Sequence, residues 1–321
     1  MSTSAIEPNI VFMGSPDFAV PSLRALAAGP YMITVITQPD RPAGRSGKPV
    51  PPPVKVAAQE LGLPVLQPET MRDPDFRARF AALHPKATVL VAYGEYLPSS
   101  LLDLPERASI NLHPSLLPRW RGSTPVQSAI LAGDPMTGVT IIRMDKGLDT
   151  GPILGQQSVE IRQDETHTEL SQRLAVVGAE LLAQILPQWL RGEIEPIPQD
   201  DSKATLTHTL TKEDGLLDWT LSAEELARRV RALQPWPGTY TFWNGTMLKI
   251  LRAHPMPIDT TSPPGTVMIT AGADSRSLVV QTGKGALGIV ELQPAGKGPM
   301  KADAFLAGYR SIGGSVLGRQ A

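Results

Sequence analysis

Two polar side chains stand two residues apart at the end of a short apolar run, Ser-Ile-Asn-Leu-His at residues 109–113. If this segment is a β-strand, Asn111 and His113 project to the same side of it. Acyl transfer needs donors aimed at a developing oxyanion and a group that handles the amine proton, and an amide beside an imidazole can supply both. A strand end with a capping Asn and a half-exposed His explains the segment equally well.

A carboxylate lies between two glycines in the segment Met-Asp-Lys-Gly-Leu-Asp-Thr-Gly at residues 144–151. Glycine tolerates positive φ and close backbone approach, so Asp149 can be held rigidly after the strand that precedes it. A carboxylate there would orient His113 and stabilise its protonated form. Asp and Gly are also favoured in ordinary turns, which is the alternative interpretation. Two polar loops that both follow strands favour a functional site.

The elements that must position these residues alternate between short apolar runs and helical patterns. Strands are predicted near residues 9–13, 32–37, 65, 88–92, 109–113 and 138–144. Helices are predicted near residues 18–28, 54–61, 74–83 and 168–189. This alternation predicts an α/β fold with a mostly parallel sheet covered by helices on both faces. Ligands bind such sheets where the strands end, which is where both polar loops lie.

The pattern changes after the long helix. Residues 191–206 are polar and contain Pro196 and Pro198, so we predict a linker between a catalytic domain at 1–190 and a second domain at 207–321. The second domain opens with a capping-box signature, Ser222 followed by Glu225. Short β-rich pieces punctuated by Gly and Pro then predict a small β-barrel.

The composition excludes several classes of protein. The 321 residues include no Cys, which excludes disulfides, thiolate metal sites and thiol nucleophiles. The net charge of −1 argues against a protein that coats nucleic acid through bulk basicity. The remaining histidines stand singly, without the spacing of metal ligands, so we expect no metal: they are His84, His167, His208 and His254.

The sequence also bears on location and assembly. Its first residues lack a basic region followed by an apolar run, so no secretory signal is expected. Its apolar runs fall far short of the roughly 18 residues that indicate a transmembrane helix. We therefore expect a cytoplasmic protein with no membrane partner. Without an association motif, we expect a monomer.

The two polar loops together carry a family resemblance. The run Asn111-Leu-His113-Pro-Ser-Leu-Leu-Pro118, followed by Gly138-Val-Thr-Ile and Asp145-Lys-Gly-Leu-Asp149-Thr-Gly151, resembles the formyltetrahydrofolate-dependent formyltransferases. Four further motifs of this family are matched: Val11–Phe18, Val91–Gly94, Arg119–Gly122 and Pro235–Gly238. The resemblance covers residues from about 9 to 312. It implies a Rossmann-like formyltransferase domain followed by an OB-like β-barrel domain that binds tRNA.

The resemblance also implies a donor, an acceptor and site residues. The donor would be 10-formyltetrahydrofolate, and the acceptor the α-amino group of methionine on charged initiator tRNA, with no metal. Asn111, His113 and Asp149 take the catalytic positions of the family. The folate-binding loop of the family falls on Ser115, Leu116, Leu117 and Pro118. From the fold, we expect the backbone near 91–94 to line the pterin pocket.

A basic, proline-rich segment at residues 38–55 distinguishes a tRNA acceptor from others. It carries six prolines and four basic residues against one acid, and we expect Arg41, Arg45 and Lys48 to contact tRNA. A solvated surface loop is the alternative for this segment. From residue 205 onward, 12 Lys and Arg also stand against 9 Asp and Glu. The second domain is therefore basic although the chain is not.

Two other functions remain as alternatives. A nucleotide-sugar N-formyltransferase would use the same donor and the same catalytic residues. A non-catalytic tRNA-binding or folate-binding module is disfavoured, because Asn111, His113 and Asp149 are all present.

Overall fold

In the computed structural model, which describes residues 7–42, 47–258, 261–271 and 276–318, the chain folds into two units. The first unit comprises the chain up to Pro125, Met136–Glu160 and Ser171–Thr207. The second comprises Val126–Pro135, Ile161–Leu170 and the chain from His208 onward. The two short ranges 126–135 and 161–170 thus belong to the second unit although they lie within the predicted first domain, whereas the sequence predicts two continuous domains. Side chains from the second unit hold these two ranges, since Arg228 donates to the carbonyl of Leu131 and Arg231 to that of Glu165.

The first part of the chain contains nine strands and six helices. The strands are β1 (Asn9–Gly14), β2 (Met32–Ile36), β3 (Arg41–Pro42), β4 (Pro49–Val50), β5 (Val65–Leu66), β6 (Ala87–Val91), β7 (Ser109–His113), β8 (Met136–Arg143) and β9 (Ile153–Glu160). The helices are α1 (Val20–Ala27), α2 (Pro53–Glu60), α3 (Pro74–Ala82), α4 (Ser99–Leu102), α5 (Pro125–Ala132) and α6 (His167–Arg191).

Seven of these strands form one sheet in the order β5-β2-β1-β6-β7-β8-β9. The pairs from β5 to β7 are parallel, and β8 and β9 add antiparallel strands at one edge. The predicted α/β fold with a mostly parallel sheet is confirmed. Strand β9 was not predicted from sequence, because its residues Gly-Gln-Gln-Ser are polar and lie at the edge of the sheet.

The long helix α6, predicted from sequence near residues 168–189, packs on this sheet through buried apolar side chains. Leu174 and Leu182 are fully buried. Gly178 permits close approach, because a Cβ at this position would lie 2.7 Å from the side chain of Leu112 on β7. The helix thus packs against β7, the strand that carries Asn111 and His113, at Leu112.

The remaining elements form a small β-barrel, as predicted. They are β10 (Thr239–Trp243), β11 (Thr246–Met256), β12 (Val267–Ala271), β13 (Arg276–Gln281), β14 (Ala286–Pro294), β15 (Met300–Lys301), α7 (Ala223–Ala232) and α8 (Ala302–Gly308). The sheet runs β10-β11-β14-β13-β12. Its two edges are joined by residues 315–318: Gly318 exchanges backbone hydrogen bonds with Phe242, and Val267 donates to Ser315. The barrel is therefore closed by the last described residues.

For the two tryptophans Trp236 and Trp243 of the second domain, the sequence favours core packing over a role as stacking platforms, and the structure separates the two residues. Trp243 contacts the rings of Phe305 and Tyr309, with centroids 6.4 and 6.0 Å apart, which confirms the prediction for this residue. The prediction is wrong for Trp236, which is 53% exposed. It lies in the Pro-Trp-Pro-Gly turn, outside the described strands, so the barrel does not enclose it. Among the described residues, no helix combines the length and apolar composition that crossing a membrane requires.

Phe305 provides a test of the barrel core. It is fully buried and its ring stacks on Tyr309 at 4.5 Å. Phe305→Ala should lower the free energy of unfolding by about 3–5 kcal/mol, because it leaves a cavity in a closed core. Trp236→Ala, which removes an exposed ring, should cost about 1 kcal/mol or less. Chemical denaturation measures both, and equal losses would contradict this core assignment.

Candidate active site

The fold brings the two polar loops of the sequence together at one edge of the sheet. Asn111 and His113 lie at the carboxyl end of β7, and Asp149 lies in the loop between β8 and β9. The segment 92–97 follows the neighbouring strand β6. The parallel strands β6 and β7 end at the same edge of the sheet, whereas β8 is antiparallel and its Arg143 pairs with Ile110 near the start of β7. The contacts of Asp149 with Asn111 and His113 therefore bring its loop to this crevice.

Three groups from two separate segments converge on the carboxylate of Asp149. The backbone N–H of Gly122 donates to Oδ2 at 2.9 Å. Asn111 Nδ2 lies 3.4 Å from Oδ1, and His113 Nδ1 lies 3.5 Å from Oδ2. The backbone of Asp149 itself is left-handed, with φ of 53°. The carboxylate is thereby fixed between the amide and the imidazole.

The imidazole of His113 is held on both sides. It is 5% exposed, and its Nε2 lies 2.9 Å from the carbonyl oxygen of Trp120. A carbonyl only accepts hydrogen bonds, so Nε2 carries a proton in this arrangement. Nδ1 faces the Asp149 carboxylate, so the ring has a hydrogen-bond acceptor beside each of its nitrogens. Trp120 has φ of 62°, a left-handed conformation that directs its carbonyl to the ring.

A cavity of about 530 Å³ opens beside these residues. Its walls are formed by residues 92–97, 111–114 and 147–149, together with part of the segment after Gly122. Both volume and apolar lining suit a small-molecule site. A larger cavity of about 660 Å³ borders the same loop at 143–147, but its lining among the described residues includes none of Asn111, His113 and Asp149. The smaller cavity is therefore the candidate active site.

The loop after β6 gives the cavity a backbone wall. Ala92 and Gly94 have positive φ, 49° and 89°, so the chain turns sharply along the cavity. Tyr93 between them is buried, and its hydroxyl lies 3.5 Å from Met71 Sδ. Burial, together with the nearby Glu95 carboxylate, raises the pKa of the Tyr93 phenol above its ordinary value. Of residues 91–94, whose backbone we expect to line the pterin pocket, residues 92–94 line this cavity.

The four residues predicted to bind folate lie elsewhere. Among the described residues that line the cavity, none belongs to Ser115–Pro118. The backbone of this loop is bonded to the sheet: Thr140 donates to the Ser115 carbonyl at 2.6 Å, and Gln156 donates to the Leu117 carbonyl at 2.8 Å. The loop supports the site from outside the cavity wall. A direct folate contact by Ser115, Leu116, Leu117 or Pro118 stays a prediction.

The basic segment forms a short hairpin of β3 and β4. Arg41 and Lys48 are exposed on it, and Arg41 lies 3.7 Å from Glu69. Arg45, the third predicted tRNA-binding residue, lies outside the described residues. The hairpin is distant in sequence from Asn111, His113 and Asp149. Its role in binding tRNA stays a prediction.

The base of this hairpin is anchored by an ion pair. Lys55 Nζ lies 2.8 Å from both carboxylate oxygens of Asp40, and Gln67 donates to the same carboxylate at 2.7 Å. Hydrogen bonds from Gln67 and Lys55 lower the pKa of Asp40 below its ordinary value. One of the four basic residues of the segment is therefore used to fix the hairpin.

Several groups at the site were missed by sequence reasoning. Gly122 and Trp120 lie in a motif of the family, but they act through a backbone N–H and a carbonyl that no residue type reveals. Gln199 contacts the Asp149 loop from the predicted linker, where the sequence carries no signal for it. In the part of the chain that the structure describes, no group of three or more His, Asp or Glu is arranged to hold a metal ion.

Comparison with known proteins identifies the family of this chain. Residues 8–186 match the formyl transferase family, and residues 209–310 match the formyl transferase C-terminal domain. The chain is 51% identical to the methionyl-tRNA formyltransferase of Chloroflexus aurantiacus over 94% of this chain and 97% of that protein.

Two solved structures share the fold. The N-formyltransferase of Helicobacter canadensis, in complex with folinic acid and dTDP-3-aminofucose, gives a TM-score of 0.64 at 16% identity over 88% of this chain and 99% of that chain. HypX of Aquifex aeolicus, in complex with tetrahydrofolic acid, gives 0.61 at 17% identity over 94% of this chain. This chain spans about half of HypX, 47%. At these identities the likeness shows the fold alone.

Proposed function

Because the chain belongs to the methionyl-tRNA formyltransferase family, we propose that it transfers the formyl group of 10-formyltetrahydrofolate to the α-amino group of methionine on charged initiator tRNA. The observation that carries the proposal is the convergence of Asn111, His113 and Asp149 on one cavity wall. The reaction joins the acceptor nitrogen to the formyl carbon and then breaks the bond from that carbon to N10 of the folate. As the amine attacks, negative charge develops on the formyl oxygen.

Asn111 and His113 supply the stabilisation of that charge. The contact from Asn111 Nδ2 to Asp149 is long, 3.4 Å, so the amide retains donor capacity toward the cavity. The His113 ring, held between the Trp120 carbonyl and Asp149, lies at the same wall as a proton donor. Donors that are already fixed before the reaction need not reorient when the charge develops, so no reorganisation free energy is added to the barrier. This makes them effective in a water-poor site.

Asp149 orients the ring. After attack the acceptor nitrogen must lose a proton, and N10 of the folate must gain one as it leaves. His113, which lies on the cavity wall beside Asp149, donates a proton to N10 and takes up the one that the acceptor nitrogen loses, so the ring returns to its starting state. No residue of the chain needs to become covalently attached.

The donor fits the cavity by shape and chemistry. A pterin is planar and rich in hydrogen-bonding groups, and the turn at 92–94 offers backbone atoms along an apolar wall. Tyr93 keeps its phenol proton at neutral pH, because burial opposes its ionisation. We therefore place the pterin against this turn and the formyl group toward Asn111. A cytoplasmic location follows from the acceptor, which serves translation, and the monomeric state stays a prediction.

Substitution of the charge-stabilising residues tests the mechanism. His113→Ala and Asn111→Ala should each lower kcat for formyl transfer by about 10²–10³-fold or more, because each removes a donor that acts on the transition state. His208→Ala removes an exposed imidazole that faces Asp214 and should leave kcat unchanged. Circular dichroism and thermal denaturation check that each variant folds. Near-normal turnover of folded His113→Ala would contradict the assignment.

The basic hairpin provides a second test, on the acceptor side. Replacing Arg41, Arg45 and Lys48 together by Ala should raise KM for methionyl-tRNA at least tenfold while KM for the folate donor changes less than about twofold, because Lys and Arg meet phosphates. The dependence of tRNA binding on salt should also become shallower, since fewer counterions are released.

A charge-matched triple is the control for this experiment. Arg72, Arg77 and Arg79 are exposed on and before α3, and their replacement by Ala removes the same charge from the same unit. This variant should retain its KM for methionyl-tRNA. Equal losses in both triples would mean that overall charge, rather than the hairpin, governs tRNA binding.

The acceptor itself is tested by direct comparison. Wild-type protein with labelled donor should formylate charged initiator tRNA, and turnover with a nucleotide-linked amino sugar should be at least about a hundredfold lower in kcat/KM. The physical reason is the basic hairpin and the basic second domain, which match an extended polyanion better than a single nucleotide. The reverse preference would establish the alternative function, and no turnover with either acceptor would remove the catalytic proposal.

A further inference from the structure

The segment that was predicted to be a plain linker runs alongside the catalytic loops of the first unit. Arg121 pairs with Leu206 in a parallel β-bridge: the Arg121 N–H donates to the Thr205 carbonyl at 2.9 Å, and the Thr207 N–H donates to the Arg121 carbonyl at 2.8 Å. The Trp120 N–H donates to the Thr205 hydroxyl at 2.8 Å. The backbone that supplies the carbonyl to His113 is therefore bonded to residues 205–207.

The pairing is close at Gly122. A Cβ at this position would collide with the hydroxyl of Thr207, and φ of Gly122 is 115°, where other residues are strained. The N–H of Gly122 donates to the Asp149 carboxylate. The linker thus sets where this N–H points.

Gln199 connects this arrangement to the Asp149 loop. Its Nε2 donates to two backbone carbonyls, those of Asp149 at 2.8 Å and Gly151 at 2.7 Å. Its Oε1 accepts from the Arg121 guanidinium, from Nε at 3.1 Å and Nη2 at 2.9 Å. The amide of Gln199 therefore connects Arg121, which precedes Gly122, to Asp149, whose carboxylate Gly122 binds.

Two features make this tie important for the geometry of the site. Asp149 has a left-handed backbone, which persists only when neighbouring groups hold it, and Gln199 binds the carbonyls on both sides of Thr150. Arg121 is 6% exposed, and its guanidinium is held by Gln199 and by Asp201 at 2.7 Å. The side chain of Gln199 therefore anchors both partners of the Gly122–Asp149 contact. It bonds the carbonyl of Asp149 directly, and it bonds Arg121, the residue before Gly122.

We propose that Gln199 is a positioning residue for formyl transfer, which acts by holding Asp149 and Gly122 in contact so that Asp149 can orient His113. The inference rests on the proposed function for its kinetic consequence. Its structural part, the hold of Gln199 on the Asp149 loop, is independent of the identity of the acceptor. Gln199 is not itself among the described residues that line the cavity.

Gln199→Glu is the most direct substitution, because it keeps the shape and the acceptor for Arg121 while it replaces two N–H donors by an oxygen that repels the two carbonyls. This variant should lower kcat by about 10- to 100-fold, the cost of a small misplacement of a catalytic group, with KM for the donor within about twofold of wild type. Gln188→Glu is the matched control: Gln188 is exposed on α6, bonds only within its helix, and should leave kcat unchanged.

A double-mutant cycle separates positioning from a general loss of structure. If Gln199 acts through Asp149, Gln199→Glu should have no further effect on kcat in an Asp149→Ala background. A purely structural role would lower kcat by the same factor in both backgrounds, and that result would overturn the proposal.

Hydrogen exchange provides a readout that needs no turnover. The Gly122 amide should be protected in wild type and in Gln188→Glu, and should exchange at least tenfold faster in Gln199→Glu, while amides of β1 and β6 are unchanged. Unchanged protection of Gly122, or faster exchange without a fall in kcat, would overturn the proposal.

Failure of the proposed function is distinguished by the wild-type protein. If wild type does not formylate methionyl-tRNA, the proposed acceptor is wrong, and the same variants are compared with the amino-sugar nucleotide as acceptor. If wild type is active and Gln199→Glu matches it, the acceptor stands and the positioning role is wrong.

Discussion

The carboxylate of Asp149 is the point on which the site depends, because it is largely buried and must find donors in the protein. It receives one from the backbone of Gly122, and the amide of Asn111 and the imidazole of His113 approach it at longer distance. An ionised carboxylate without such partners would be costly to bury. The requirement to satisfy one charge therefore brings together the end of β7, the loop after Trp120 and the loop after β8.

The sheet supplies the starting positions for these three segments. Parallel pairing of β6 with β7 ends both strands at one edge, and the loop that follows the antiparallel strand β8 reaches Asn111 and His113 through Asp149. The helix α6 fixes β7 from behind, where Gly178 allows Leu112 to approach closely. The side chains of the site thus inherit their spacing from backbone pairing, which is the most rigid part of the fold.

Much of this arrangement could be predicted from sequence, for identifiable reasons. The period of two in a strand places Asn111 and His113 on one face, and alternating strands and helices indicate a parallel sheet whose ends meet. Strand β9 could not be predicted, because an edge strand does not need the apolar pattern of a buried one. The contacts of Trp120 and Gly122 use backbone atoms, which every residue carries, so residue types do not reveal them.

Backbone strain is a further feature of the site that the sequence does not predict. Ala92, Trp120 and Asp149 are non-glycine residues with positive φ, and all three border the cavity or its imidazole. Such conformations each cost on the order of 1–3 kcal/mol and persist only where surrounding contacts determine them. For Asp149 those contacts come from Gln199, a residue of the connecting segment. The segment that the sequence predicts as a linker is therefore part of the structure around Asp149, because without it the strained loop would lose the contacts that hold its conformation.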